Sequence, residues 1–129
     1  MKKAMVFGTF DVLHPGHLSY FKQAKKLGDY LIVVVARDKT SEKIKGKKPK
    51  YGEKIRLKRV KKLQIVDKAV LGFVSDMFKV IKNEKPAVIC FGYDQKVEKN
   101  LMKKIKKAKI KIKRLKGYKI KKYKSHLMG

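Results

Sequence analysis

Apolar residues follow two rhythms along this chain, and the switch between them marks its elements. Ala4-Met5-Val6-Phe7, Tyr30 to Ala36 and Ala87 to Phe91 are unbroken, β-branched or aromatic runs of the kind buried on both faces of a sheet, and Asp67 to Leu71 reads as a further strand. Between them the spacing becomes helical. Leu18, Phe21, Ala24 and Leu27 form one stripe, with Pro15 suited to its first turn and Gly28 to the position just past its end. Helices are also expected from about Glu53 to Leu63, from Ser75 to Asn83 with Ser75 as N-cap, and through Val97, Leu101, Ile105 and Ala108. Ile110, Ile112 and Leu115 then alternate with lysines, the pattern of an edge strand guarded against aggregation. Residues 38 to 52 are polar and contain Gly46, Pro49 and Gly52, so they read as a long functional loop whose Lys45-to-Pro49 stretch is mobile until a ligand binds. Lys116 to Gly129 is a basic tail without periodicity.

Strands that alternate with helices predict an α/β fold: a doubly wound, Rossmann-like, parallel five-stranded sheet with helices on both faces. With 129 residues, a single domain over 1–129 is expected, the tail at 116–129 included. Ligands in such sheets bind beyond the carboxyl ends of the strands. Three segments fall there: Gly8 to His17 after the first strand, Arg37-Asp38 after the second, and Gly92 to Asp94 after the fourth.

Charge narrows the partners without deciding the fold. The formal net charge is +27, and residues 95–129 hold 15 basic side chains against one acid, Glu98. Such a field attracts anionic metabolites and binds nucleic acid only non-specifically. No stretch approaches the ~20 apolar residues needed to cross a bilayer, and no cleavable signal pattern precedes the first strand, so a cytoplasmic protein is expected. The single cysteine, Cys90, lies in an apolar strand and reads as a buried structural thiol.

The chemistry concentrates in Gly8-Thr9-Phe10-Asp11-Val12-Leu13-His14-Pro15-Gly16-His17. A strand-to-helix turn presents unpaired N–H groups and the positive end of the helix dipole, and a glycine at 8 or 16 lets backbone approach a phosphate. His14 and His17 lie three residues apart on one side of the first turn, where both can face the same phosphate. The bland alternative is a capping His14 and a solvated His17. Zinc lacks a third ligand, since His126 is remote and Cys90 is in a strand, so no protein metal site is expected. Lys45, Lys47 and Lys48, with Lys22, are candidates for the β- and γ-phosphates. Asp11 reads as a structural cap or hydrogen-bond acceptor within the turn, Asp38 as a contact to nucleotide or acceptor or else a solvated surface group, and Arg56 as an acceptor-phosphate contact or a partner of Glu53 on its own helix.

With these residues in view, the chain resembles the cytidylyltransferase-like nucleotidyltransferases, whose signature G-x-F-D-x-x-H-x-G-H is present as Gly8, Phe10, Asp11, His14, Gly16 and His17. Within that superfamily it is most similar to the archaeal-type FAD synthases, through Val35 to Thr40, Lys45 to Pro49, Asp67 to Gly72 and Phe91 to Gln95. The resemblance implies an FMN adenylyltransferase that takes ATP and FMN, with a divalent cation, Mg²⁺, arriving on the triphosphate. It implies His14 and His17 as catalytic, and Gly8, Thr9, Phe10, Lys45, Lys47, Gly92, Asp94 and Ser125 as nucleotide-binding. Where family members follow that serine with a second hydroxyl, this chain has His126. A homodimer is compatible with this reading. Two other functions stay open: cytidylyl transfer from CTP to a phosphorylated alcohol such as glycerol 3-phosphate, and a non-catalytic nucleotide- or RNA-binding protein using the basic carboxyl-terminal third.

Overall fold

The structure, a computed structural model, describes residues 1–117. Five strands, β1 (Lys3–Gly8), β2 (Tyr30–Val35), β3 (Lys68–Leu71), β4 (Val88–Gly92) and β5 (Lys111–Leu115), form one sheet in the order β3-β2-β1-β4-β5. Every pairing is parallel, as the uninterrupted apolar runs predict. β5 takes the edge, with its lysines exposed.

Helices α1 (Pro15–Lys26) and α3 (Glu53–Lys61) lie on one side of the sheet, and α4 (Met77–Glu84) and α5 (Lys99–Lys107) on the other. The two-residue period of the strands supplies both cores. Ala4, Val6, Leu31, Val33 and Val35 face Phe21, Ala24 and Val60, while Met5, Phe7, Ile32 and Val34 face Val80, Ile81 and Ile105. Cys90 is buried in the first of these cores, and burial pushes its thiol up to about 11, against a smaller opposing pull from Lys113. It is a structural thiol, as its neighbours predict.

Two expectations are corrected. The polar stretch after β2 opens with a helix, α2 (Asp38–Lys45), rather than continuing as loop. This helix carries no apolar stripe to betray it, because its only aliphatic residue of any size, Ile44, is 75% exposed. It is held by polar means: the Glu53 carboxylate accepts from the Asp38 N–H at its amino end, and Gly46 closes it with φ 77°. The N-cap of α4 is Asp76 rather than Ser75, its carboxylate accepting from the Phe78 N–H.

The sheet reverses its winding between β1 and β4, which are hydrogen-bonded neighbours although β2 and β3 come between them in the chain. In sheets of this kind ligands bind in such a crevice, at the carboxyl ends of the strands.

Candidate active site

The turn between β1 and α1 is built around Phe10. Its φ is 53°, a left-handed conformation that a bulky residue adopts only when its surroundings demand it. The ring is buried, tilted against Phe21 and edge-on to His17 with centroids 5.1 Å apart. Gly8 is required by this arrangement, since a Cβ there would lie 2.5 Å from the tip of the Phe10 ring.

The two histidines stack, with centroids 3.7 Å apart and planes 23° from parallel. His14 takes the capping role that its place before Pro15 allows. It is the N-cap of α1, its Nδ1 accepting from the Gly16 N–H at 3.0 Å. An accepting Nδ1 places the proton of the neutral ring on Nε2, so the exposed edge of His14 is a hydrogen-bond donor. His17 is half-buried, and its pKa is lowered from 6.5 to about 4 by that burial first, then by the neighbouring His14 and Lys45. The Val12 backbone pulls weakly the other way but is outside hydrogen-bond geometry, which leaves the buried Nδ1 without a protein partner.

Thr9 meets Ser41 of α2 hydroxyl to hydroxyl at 3.0 Å, and Ser41 is only 1% exposed. Lys45 ends α2, near enough for its charge to act on His17 and Asp11, while Lys47 and Lys48 are exposed in the bridge that follows. Lys22 is exposed on α1. Gly92 ends β4 opposite the turn; a Cβ there would come within 3.0 Å of the Tyr20 hydroxyl, and Asp94 is exposed just beyond. The Tyr20 phenol is pushed above its ordinary value by burial, then by Asp94 and Tyr93. Ser125 lies outside the described residues.

The acceptor-phosphate reading of Arg56 is corrected. Arg56 is 0% exposed, and its guanidinium points into the molecule rather than toward an acceptor phosphate. It donates to the carbonyls of Thr9 and Ala36 at 2.8 Å, to the Tyr51 carbonyl at 2.9 Å, and to Asp38 Oδ1 at 2.7 Å. Glu53 pairs with Arg37, not with Arg56. Asp38 thus serves the fold by holding Arg56. Sequence spacing could not foresee this, because an arginine on a helix reads as a surface group until the ends of β1 and β2 close over it.

Two further residues complete the crevice. Gln95 bridges the diverging strands, donating from Nε2 to the Phe7 carbonyl and accepting at Oε1 from the Gly92 N–H. Asp11 accepts from the N–H groups of Lys50 and Tyr51. Among the described residues no group of three or more His, Cys, Asp or Glu is placed to hold a metal ion, and no helix is long and apolar enough to cross a membrane.

A doubly wound sheet with stacked histidines at the first strand-to-helix turn defines a nucleotidyltransferase. The chain belongs to the cytidylyltransferase-like family, whose model matches residues 5–126. It is 48% identical over 121 residues to the FAD synthase of Aciduliprofundum boonei, covering 92% of this chain and 80% of that protein. It is 47% identical over 114 residues to the FAD synthase of Thermoplasma volcanium, covering 88% and 80%. Among solved structures, that of the lipopolysaccharide core biosynthesis protein from Thermoplasma volcanium superposes with a TM-score of 0.84 at 46% identity, over 92% of this chain and 98% of the other. Pantoate-β-alanine ligase from Francisella tularensis shares the fold at 17% identity and a TM-score of 0.54, over 89% of this chain and 58% of that one.

Proposed function

We propose that this protein transfers the adenylyl group of ATP to FMN, giving FAD and pyrophosphate. The observation that carries the chemistry is the His14–His17 stack at the amino end of α1, beside the crevice between β1 and β4. A terminal phosphate oxygen of FMN attacks the α-phosphorus of ATP, the bond from that phosphorus to the bridging oxygen breaks, and pyrophosphate leaves with the electron pair. The phosphate acceptor has a second pKa near ~6 and is largely dianionic at neutral pH, so no protein base is needed. His14 donates from Nε2, and neutral His17 adds a second dipole, to the α-phosphate oxygens as charge builds there. Lys45 and Lys47 face the β- and γ-phosphates, Gly8, Thr9 and Phe10 shape the turn, and Gly92 and Asp94 border the nucleoside. Mg²⁺ enters on the triphosphate and neutralises part of its charge, in keeping with that ion's reluctance to shed water. The choice of adenine and of a flavin acceptor draws on the relatives named FAD synthase.

The test is to supply each nucleoside triphosphate with FMN and, separately, with glycerol 3-phosphate, following pyrophosphate release and FAD formation with and without Mg²⁺. ATP with FMN is expected to turn over. CTP with a phosphorylated alcohol reacting at least about tenfold more efficiently would overturn the substrate assignment and leave the histidine chemistry standing.

A further inference from the structure

We infer that Asp11 and Arg56 are positioning residues that anchor Tyr51, and that this anchor sets where the Lys45–Lys48 segment lies against the His14–His17 turn. The inference rests on the nucleotidyl-transfer reading above. Both main-chain groups of Tyr51 are taken: its N–H donates to Asp11 Oδ1 at 2.9 Å, and its carbonyl accepts from Arg56 Nε at 2.9 Å. The preceding N–H, of Lys50, donates to Asp11 Oδ2 at 2.7 Å. The Tyr51 ring is covered by the Arg59 guanidinium, 3.9 Å from its centroid.

Both holders are tied to the phosphate turn. Asp11 stands within it, three residues before His14, and Arg56 simultaneously grips the Thr9 carbonyl. The other end of the lysine segment is fixed as well, because Ser41 ties α2 to Thr9 and Gly46 ends that helix in a left-handed conformation. Residues 47–49 therefore bridge two points referenced to the same turn.

This accounts for a carboxylate in an anion site. A bare Asp11 would repel a triphosphate. Burial tends to raise its pKa, but the N–H groups of Lys50 and Tyr51, with Arg56 and Lys45, more than offset this and hold the carboxyl below its ordinary value. Its charge is spent on backbone donors, and the lysines are brought to the site already ordered, so less freedom is lost when the phosphates bind.

The experiment is calorimetry of ATP and of AMP binding to the wild type, Asp11→Ala and Asp11→Asn, each also carrying Lys45→Ala and Lys47→Ala. Hydrogen exchange is read at the Lys50 and Tyr51 amides. Asn preserves the side chain's size but puts a donor against one of the two N–H groups, so it serves should the alanine variant fail to fold. Asp11 substitution is expected to weaken ATP binding about tenfold and AMP binding less than about threefold, and to remove most of the effect of the lysine substitutions. Both amides should exchange faster. Equal losses for ATP and AMP, or lysine effects that simply add to that of Asp11, would overturn the anchor while leaving the function intact. A wild type that binds no ATP would instead overturn the nucleotidyl-transfer reading.

Discussion

At the scale of single residues, His14 carries two jobs that can be separated. Alanine there removes both the cap and the donor, whereas asparagine is among the best N-caps and lacks the imidazole. His14→Ala should lose about 0.5–2 kcal/mol of stability and His14→Asn little of that, as read by urea unfolding. Both, like His17→Ala, should lower turnover about 10²-fold or more while ATP affinity changes less, because the donors act on charge that develops in the transition state. Near-normal turnover in either His14 variant would remove that residue from the catalytic pair. His17 also makes a pH prediction. Its folded-state pKa of about 4 lies below the ordinary 6.5, so the unfolded chain takes up a proton that the folded chain refuses. The stability present above 6.5 should be lost progressively as pH falls toward 4, and His17→Gln should flatten that slope. An NMR titration placing the His17 midpoint near 6.5 would sink the argument.

At the scale of elements, Arg56 joins the ends of β1 and β2 to the start of α3. Its ion-pair partner, Asp38, has a side chain 41% exposed, and asparagine there keeps an acceptor oxygen for the guanidinium. The carbonyls of Thr9, Ala36 and Tyr51 are different, because they turn inward to one buried group. Leaving each unpaired costs about 1–3 kcal/mol. Arg56→Met, which fills similar volume, should therefore destabilise by about 3 kcal/mol or more, and Asp38→Asn by much less. Chemical denaturation of both variants is the check; equal losses would mean that the ion pair, not the carbonyls, dominates.

At the scale of the whole molecule, a net charge of +27 makes long-range attraction to anions unavoidable. Among the described residues, the lysines of α5 and β5 have no aromatic within their own elements, so any nucleic-acid binding there is expected to follow charge rather than base identity. Filter binding should show sequence-independent retention of RNA and DNA at low salt that collapses by physiological ionic strength. Salt-resistant, sequence-selective retention would promote the nucleic-acid reading over one in which the field serves to gather nucleotides.

The sequence by itself determined the parallel sheet, because runs such as Tyr30 to Val35 bury both faces and leave their period visible. It also determined the histidine pair, because Gly8, Phe10, Pro15 and Gly16 constrain one turn through local backbone preferences. Tertiary structure alone decided what lacks a local signature. Helix α2 stands on the Glu53 cap and the Ser41 hydroxyl rather than on an apolar face, so no periodicity announces it. Arg56 finds partners 5, 20 and 47 residues away in sequence, and Asp11 39 and 40 away, among backbone groups that every residue possesses. A side chain that recognises main chain leaves no complementary residue type for a reader of the sequence to find, and only the closure of β1, β2 and α3 around it chooses which carbonyls and amides it will hold.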